Sequence, residues 1–259
     1  MKIAISGKGG VGKTTLTALL AQTYADRGRQ VLAVDADPSP CLAGALGFPS
    51  TKRENLHPIA EMGELIEERT GAKPGTIGGF FTINPRVDDI PERFSVFHRG
   101  VSLLEMGAVE TGGSGCICPE AALLKTLFTH LLVRKEDVLL LDMYAGVEHL
   151  GRATVDFVDA MLIVAEPTRR SLGTSAQIKK LANDIGLNRL YLIGNKVRNL
   201  EEKEFLEKET PGLPILGFLP ADLKVQEADR LGIPVYDHVP SLKNEAHSIL
   251  QGLEKELTG

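Results

Sequence analysis

A doubly wound α/β fold, a mostly parallel sheet with helices on both faces, is predicted by three features of the sequence. A short apolar run at residues 2–6 passes through the glycine-rich stretch GKGGVGKTT (7–15) into a helix-periodic segment, the strand–loop–helix order of a phosphate-holding loop. Further short apolar runs at 30–34, 137–141, 160–165, 190–194 and 214–219 are separated by helix-periodic stretches, the pattern of parallel strands joined by crossover helices. Two of these runs close on carboxylates, Asp35 with Asp37 and then Asp142, where ligands of open α/β sheets bind.

The first strand runs into Gly7, Lys8, Gly9, Gly10, Val11, Gly12, Lys13, Thr14 and Thr15. Glycines let backbone N–H groups converge on an anion, and the helix starting there adds the positive end of its dipole. Gly7, Gly12, Lys13 and Thr14 fill the fixed positions of GxxxxGK[ST]. Lys13 is therefore expected to reach the β- and γ-phosphates of a nucleotide, and Thr14 to offer its hydroxyl to Mg²⁺. Leu16, Leu19, Leu20, Thr23 and Tyr24 set a helix over 16–27. After the strand at 30–34, SPCLAGALG reads as a short apolar helix ending at Gly47, with Cys41 as a small buried packing residue. From 49 to 92 the pattern loosens. A helix over 59–70 and a glycine-rich 71–79 suggest an insertion with a mobile loop, carrying partner contacts rather than core.

Strand-like composition returns at 95–97 and 101–106. Then Gly112-Gly113-Ser114-Gly115-Cys116-Ile117-Cys118-Pro119 leads into a helix from 121 to about 133, with Pro119 at its first position and Cys118 as N-cap. Thiols at the positive end of a helix are expected to favour the thiolate, which is the metal ligand. The flexible glycines would let both sulfurs turn toward one point. One chain supplies only two of the roughly four donors a closed thiolate site needs, so C-x-C at a two-fold axis would complete the site by dimerising. The bland alternative is a pair of incidental loop cysteines or a redox pair, because C-x-C alone is a weak motif.

The run at 137–141 closes on Asp142 and matches a Walker B strand, which puts Asp142 near Mg²⁺ through a water. The strand at 160–165 is followed by a helix over 171–186, and the strand at 190–194 closes on Asn195-Lys196-Val197-Arg198. A guanine reader of the form N-K-x-D would need an aspartate at 198. Arg198 stands there instead, so adenine is preferred. The last strand leads through Pro220-Ala221-Asp222 to helices at 225–231 and 241–257.

At 259 residues, one domain spanning 1–259 is expected. Hydrophobic residues at 43% and charged residues at 24% fit a soluble globular protein, and a net charge of −5 argues against a broad nucleic-acid-binding face. No run of 18 apolar residues and no signal-peptide core occurs, so a cytoplasmic protein with no membrane span is expected.

The second lysine inside the loop, in KGGVGKT, resembles the deviant Walker A of the MinD, ParA, nitrogenase iron protein and arsenite-pump ATPases. That likeness implies a P-loop fold, an Mg²⁺-dependent ATPase that binds ATP or ADP, and a homodimer in which Lys8 reaches the partner's nucleotide. It also implies that Asp37 orients the attacking water, Asp35 supports the Mg²⁺ shell and Gly146 senses the γ-phosphate. Asn195, beside Lys196, would bond the adenine edge, while Pro220 and Asp222 flank the base. Glu148 and His149 could relay nucleotide state to the cysteine loop, or simply open a charged helix. GSGCICPEAALL, LLLDMYAGVEHLGR and NKVRN narrow the resemblance to the CooC-type ATPases that mature carbon monoxide dehydrogenase by delivering nickel. On that likeness Cys116 and Cys118 hold Ni²⁺, or Zn²⁺ in the same thiolate site, across the dimer. The client is then carbon monoxide dehydrogenase or acetyl-CoA synthase. The alternative is a MinD- or ParA-like regulatory switch whose cysteines are structural.

Overall fold

The computed structural model describes residues 1–76, 80–107, 118–144, 146, 150 and 155–258. Among these, eight strands form one sheet in the order β3-β4-β2-β5-β1-β6-β7-β8. They are β1 (Lys2–Gly7), β2 (Val31–Ala36), β3 (Val96–His98), β4 (Val101–Glu105), β5 (Val138–Met143), β6 (Ala160–Ala165), β7 (Leu190–Val197) and β8 (Ile215–Pro220). All pairings are parallel except the edge pair of β3 with β4. The mostly parallel doubly wound fold expected from the sequence is therefore present.

The central strands are apolar on both faces because both faces are covered. Ala4, Leu139, Leu141, Met161 and Ile163 face one core, while Ile3, Ile5, Val138, Leu140, Leu162 and Val164 face the other. This two-residue alternation, apolar on each side, is how a parallel strand between two helical layers must read. On the first side lie α4 (Gly63–Thr70), α6 (Pro119–Val133) and α7 (Arg169–Ile185). On the second lie α1 (Lys13–Asp26), α2 (Leu42–Ala45), α10 (Val235–His238) and α11 (Pro240–Thr258). The remaining helices of the described set are α3 (Ser50–Arg53), α5 (Ile90–Phe94), and α8 (Leu200–Glu209) with α9 (Leu223–Leu231) following in the second half.

The segment 49–92 departs from expectation. Rather than lacking core residues, it buries Ile59, Leu65, Ile66, Val87 and Ile90 in the same core as Leu123, Leu127 and Leu131 of α6. The stretch expected as one helix over 59–70 is divided into a short turn at Ile59–Glu61 and α4, while Val87 and Ile90 lie beyond it in the chain with no sustained period. The helix α8 is likewise thin in signal, with Leu206 alone fully buried. Its mark is the cap: Asn199 accepts from the Glu202 backbone N–H at 2.9 Å, the first half of a capping box.

Candidate nucleotide site and the family of the chain

The site is built at the carboxyl end of the sheet, where β1 breaks into the glycine loop between β5 and β6. Gly7 has φ 152° and a Cβ there would fall 2.4 Å from the Val164 carbonyl oxygen, so only glycine lets the chain leave the sheet at this point. Gly12 has φ 98° and opens α1 with no capping side chain, unlike α7, α8 and α9, which Thr168, Asn199 and Asp222 cap. The free amides of that first turn suit an anion. Lys13 is 6% exposed, and its Nζ lies 3.4 Å from the Lys8 carbonyl oxygen. The Lys8 ammonium meets no carboxylate among the described residues.

Three carboxylates line up across neighbouring strands. Glu105 of β4 stands in register with Asp35 of β2, and Asp35 with Asp142 of β5. Asp35 is fully buried and satisfied: Oδ2 accepts from the backbone N–H of Cys41 and Leu42, both at 2.9 Å, and Oδ1 from that of Asp37 at 3.2 Å. It fixes the start of α2, which makes it a support for the site and leaves its oxygens committed. Asp37 is partly exposed and accepts from the Ser39 N–H at 2.9 Å. Asp142 is the opposite case, 1% exposed with neither oxygen meeting a hydrogen-bond partner.

Burial, and then the Asp35 charge, push Asp142 up to about 7, while Thr14, whose hydroxyl lies alongside without completing a bond, and Lys13 draw it down. Glu105 is also raised to about 7, by burial first and then by Asp35 and Glu61. An orphaned, buried carboxylate beside a threonine hydroxyl in a field of like charge is what a hard divalent cation relieves. Asp142 and Thr14 thus fit the Mg²⁺ expected from the sequence.

Gly146, φ 132°, is tied to β1 by the Ser6 hydroxyl, which donates to its carbonyl oxygen at 2.8 Å and accepts from its N–H at 3.3 Å. Asn195 is buried against the loop: Nδ2 donates to the Val11 carbonyl at 2.6 Å and Oδ1 accepts from the Lys196 N–H at 2.8 Å. Each amide atom retains one further bonding capacity for an adenine edge. The same amide explains Gly12, where a Cβ would fall 2.1 Å from Asn195 Nδ2. Lys196, in the left-handed region at φ 57°, donates from Nζ to the Gly10 carbonyl at 2.8 Å and pairs with Glu166 at 2.5 Å. Arg198 is held by Glu202. Pro220 closes β8 opposite Val197, and Asp222 caps α9 through the Lys224 N–H at 2.9 Å.

Sequence reasoning missed Ser6, Glu105 and Glu166, and it placed Cys41 wrongly. Rather than packing inside, Cys41 is exposed, with Sγ 3.6 Å from Thr14 Oγ1. The cause is Asp35, which captures the Cys41 N–H and turns its side chain toward the loop. Cys118 is the N-cap of α6, Pro119 follows at the first helical position, and Cys118 is 5% exposed. Cys116, Glu148 and His149 lie outside the described residues. Among the described residues no group of three or more His, Cys, Asp or Glu side chains is placed to hold a metal ion, and no helix is long and apolar enough to cross a membrane.

A glycine loop entering α1, an orphaned aspartate beside its threonine and a parallel sheet open at that edge define a P-loop ATPase, and the chain belongs to the CobQ/CobB/MinD/ParA nucleotide-binding family, whose sequence model matches residues 2–235. Within it the chain is of the CooC type. It is 46% identical over 253 residues to the carbon monoxide dehydrogenase accessory protein CooC of Rhodospirillum rubrum, covering 98% of this chain and 96% of that one. An uncharacterized ATP-binding protein of Methanocaldococcus jannaschii is 49% identical over 238 residues, 91% of each chain. In structure it resembles MinD of Aquifex aeolicus, with a TM-score of 0.67 at 22% identity over 100% of this chain and 97% of that one. The septum site-determining MinD of Pyrococcus horikoshii, solved with Mg-ADP, gives 0.63 at 23% identity over 99% and 95%. At those identities the structural likeness establishes the fold.

Proposed function

We propose that this chain is a cytoplasmic, ATP-gated nickel metallochaperone that works as a homodimer of single-domain subunits, each spanning 1–259, and delivers nickel to carbon monoxide dehydrogenase. The observation that carries the reading is Cys118 at the N-cap of α6 with Pro119 behind it, the second cysteine of a C-x-C in the sequence, in a chain so similar to CooC. Cys116 and Cys118 from each subunit hold one Ni²⁺ as cargo, or Zn²⁺ in the same place. Thiolates suit both metals.

The loop amides from Gly7 to Thr15 and the Lys13 ammonium bind the phosphates of ATP or ADP. Thr14 and Asp142 would hold Mg²⁺, which when bound would offset the charge that collects on the phosphates during transfer. Asp37, half-exposed at the rim, orients the attacking water, and Asp35 holds the Asp37 and Cys41 backbone in place behind it. Gly146, pinned to Ser6, responds to the γ-phosphate. Asn195 and Lys196 brace the loop and stand with Pro220 and Asp222 on the base side. Lys8 crosses to the partner's nucleotide, much as an arginine finger does. Lys8→Ala is expected to keep nucleotide affinity within about twofold while ATP-promoted dimerisation and hydrolysis fall by about 10³-fold or more, the scale of a lost arginine finger. Sedimentation and phosphate release measure both, and a fully active Lys8→Ala protein contradicts the trans role.

A regulatory switch with structural cysteines is the second reading, favoured by the burial of Cys118. The deciding experiment incubates nickel-free carbon monoxide dehydrogenase with the nickel-loaded protein. ATP-dependent activation, lost in Cys116→Ser/Cys118→Ser, is expected. Activation of acetyl-CoA synthase alone would move the client, and no ATP-dependent activation of either enzyme would favour the switch.

A further inference from the structure

The third cysteine belongs to neither the pair before α6 nor the phosphate loop, yet it stands at the cation's door. Cys41 Sγ lies 3.6 Å from Thr14 Oγ1. Thr14 in turn lies beside Asp142, whose carboxylate is 1% exposed and has no hydrogen-bond partner on either oxygen. A soft sulfur and a hydroxyl oxygen are therefore in contact, and the Asp142 carboxylate is near enough to act on both. A tetrahedral cation with a metal–sulfur bond of about 2.3 Å and a metal–oxygen bond of about 2.1 Å keeps its sulfur and oxygen about 3.6 Å apart. That is the separation found, without any movement of either side chain.

We propose that the cation position of the nucleotide site is also a nucleotide-dependent site for a thiophilic divalent cation, ligated by Cys41 Sγ and Thr14 Oγ1 with Asp142 beside them, in competition with Mg²⁺. Mg²⁺ takes oxygen ligands and has no use for the sulfur, whereas soft and borderline cations select it. The Cys41 sulfur becomes a ligand when a thiophilic cation displaces its proton. Nucleotide phosphates complete the coordination, which is why the site depends on them. Free thiophilic metal would then occupy the nucleotide site and hold back turnover. This inference rests on the P-loop cation site and is independent of the C-x-C pair.

The test uses Cys116→Ser/Cys118→Ser protein, so that Cys41 is the sole thiol, and Cd²⁺ as the probe with ADP. Expected are one Cd²⁺ per chain by equilibrium dialysis, an ultraviolet cadmium–thiolate charge-transfer band, and loss of that band on adding excess Mg²⁺. Adding Cys41→Ser should remove the band and lower Cd²⁺ affinity in the ADP complex at least about tenfold, with folding checked by thermal melting. The proposal is overturned if no band forms, if the band is equally strong without ADP, or if Cys41→Ser leaves Cd²⁺ affinity unchanged. Should the serine variant not fold, alkylation of Cys41 decides: Cd²⁺·ADP must protect it more than Mg²⁺·ADP does, and equal protection overturns the proposal.

Discussion

Lys13→Ala is expected to reduce nucleotide affinity by about 10²–10³-fold, roughly 3–4 kcal/mol, the scale of leaving a buried charge without its partner. Lys13 is 6% exposed, and its ammonium rests 3.4 Å from the Lys8 carbonyl, a weak contact it can exchange for phosphate oxygens at little cost. Because that contact contributes little to the fold, the variant should melt within a few degrees of the parent protein in the absence of nucleotide. Calorimetric titration with ADP, run beside thermal melting, separates the two effects. A folded variant that still binds ADP at parental strength would remove Lys13 from the phosphate site.

Asp142→Asn should have opposite effects on stability and on cation binding. In the nucleotide-free protein the folded-state value near 7 lies above the unfolded value of about 4, so the folded chain holds the extra proton between them. Stability from this group is fully present below about pH 4 and is lost as pH rises through 7. The substituted amide carries no charge to bury. The Asp142→Asn protein should therefore be more stable at pH 8 without Mg²⁺, by on the order of 2–4 kcal/mol. Glu105, raised to a similar value, keeps part of the slope in the variant. With Mg²⁺·ADP the order reverses: the parent protein gains stability by binding, increasingly from pH 6 to 8 as Asp142 deprotonates, while the variant gains much less. Melting curves from pH 5 to 8, with and without Mg²⁺·ADP, measure both. A variant destabilised at pH 8 in the absence of ligand would contradict the orphaned-carboxylate account.

The features that could be read in the sequence are those set by local chemistry. The central strands announced themselves because both faces of a covered parallel strand must be apolar, and the glycine loop because Gly7 and Gly12 answer close approaches by Val164 and Asn195. Cys118 and Pro119 at the head of α6 followed from capping preference alone. What could not be read depends on residues far apart in the chain. The row Glu105, Asp35 and Asp142 is created by strand register, and Lys196 reaches Glu166 and Gly10 across neighbouring strands. Cys41 looked like core because its neighbours are Leu42 and Ala43, which are indeed buried, but a helix start fixed by Asp35 points its own side chain outward. Ile59 and Ile66 reach the core only because the stretch 59–70 packs on α6, a contact between segments far apart in the chain, and Ile90 sits in a five-residue helix too short to show a period.

The central claim, that one thiolate site is shared by two subunits and coupled to nucleotide, is tested most directly by titrating the reduced protein with Ni²⁺ and with Zn²⁺, apo and with ADP or a non-hydrolysable ATP analogue, while its mass is followed by sedimentation. The account predicts one metal per two chains, weaker binding at lower pH as the thiolates take up protons, a reciprocal shift between metal and nucleotide affinities, and loss of tight binding in Cys116→Ser/Cys118→Ser with ADP binding retained. One metal per chain on a monomer, or a metal affinity indifferent to nucleotide, would contradict it.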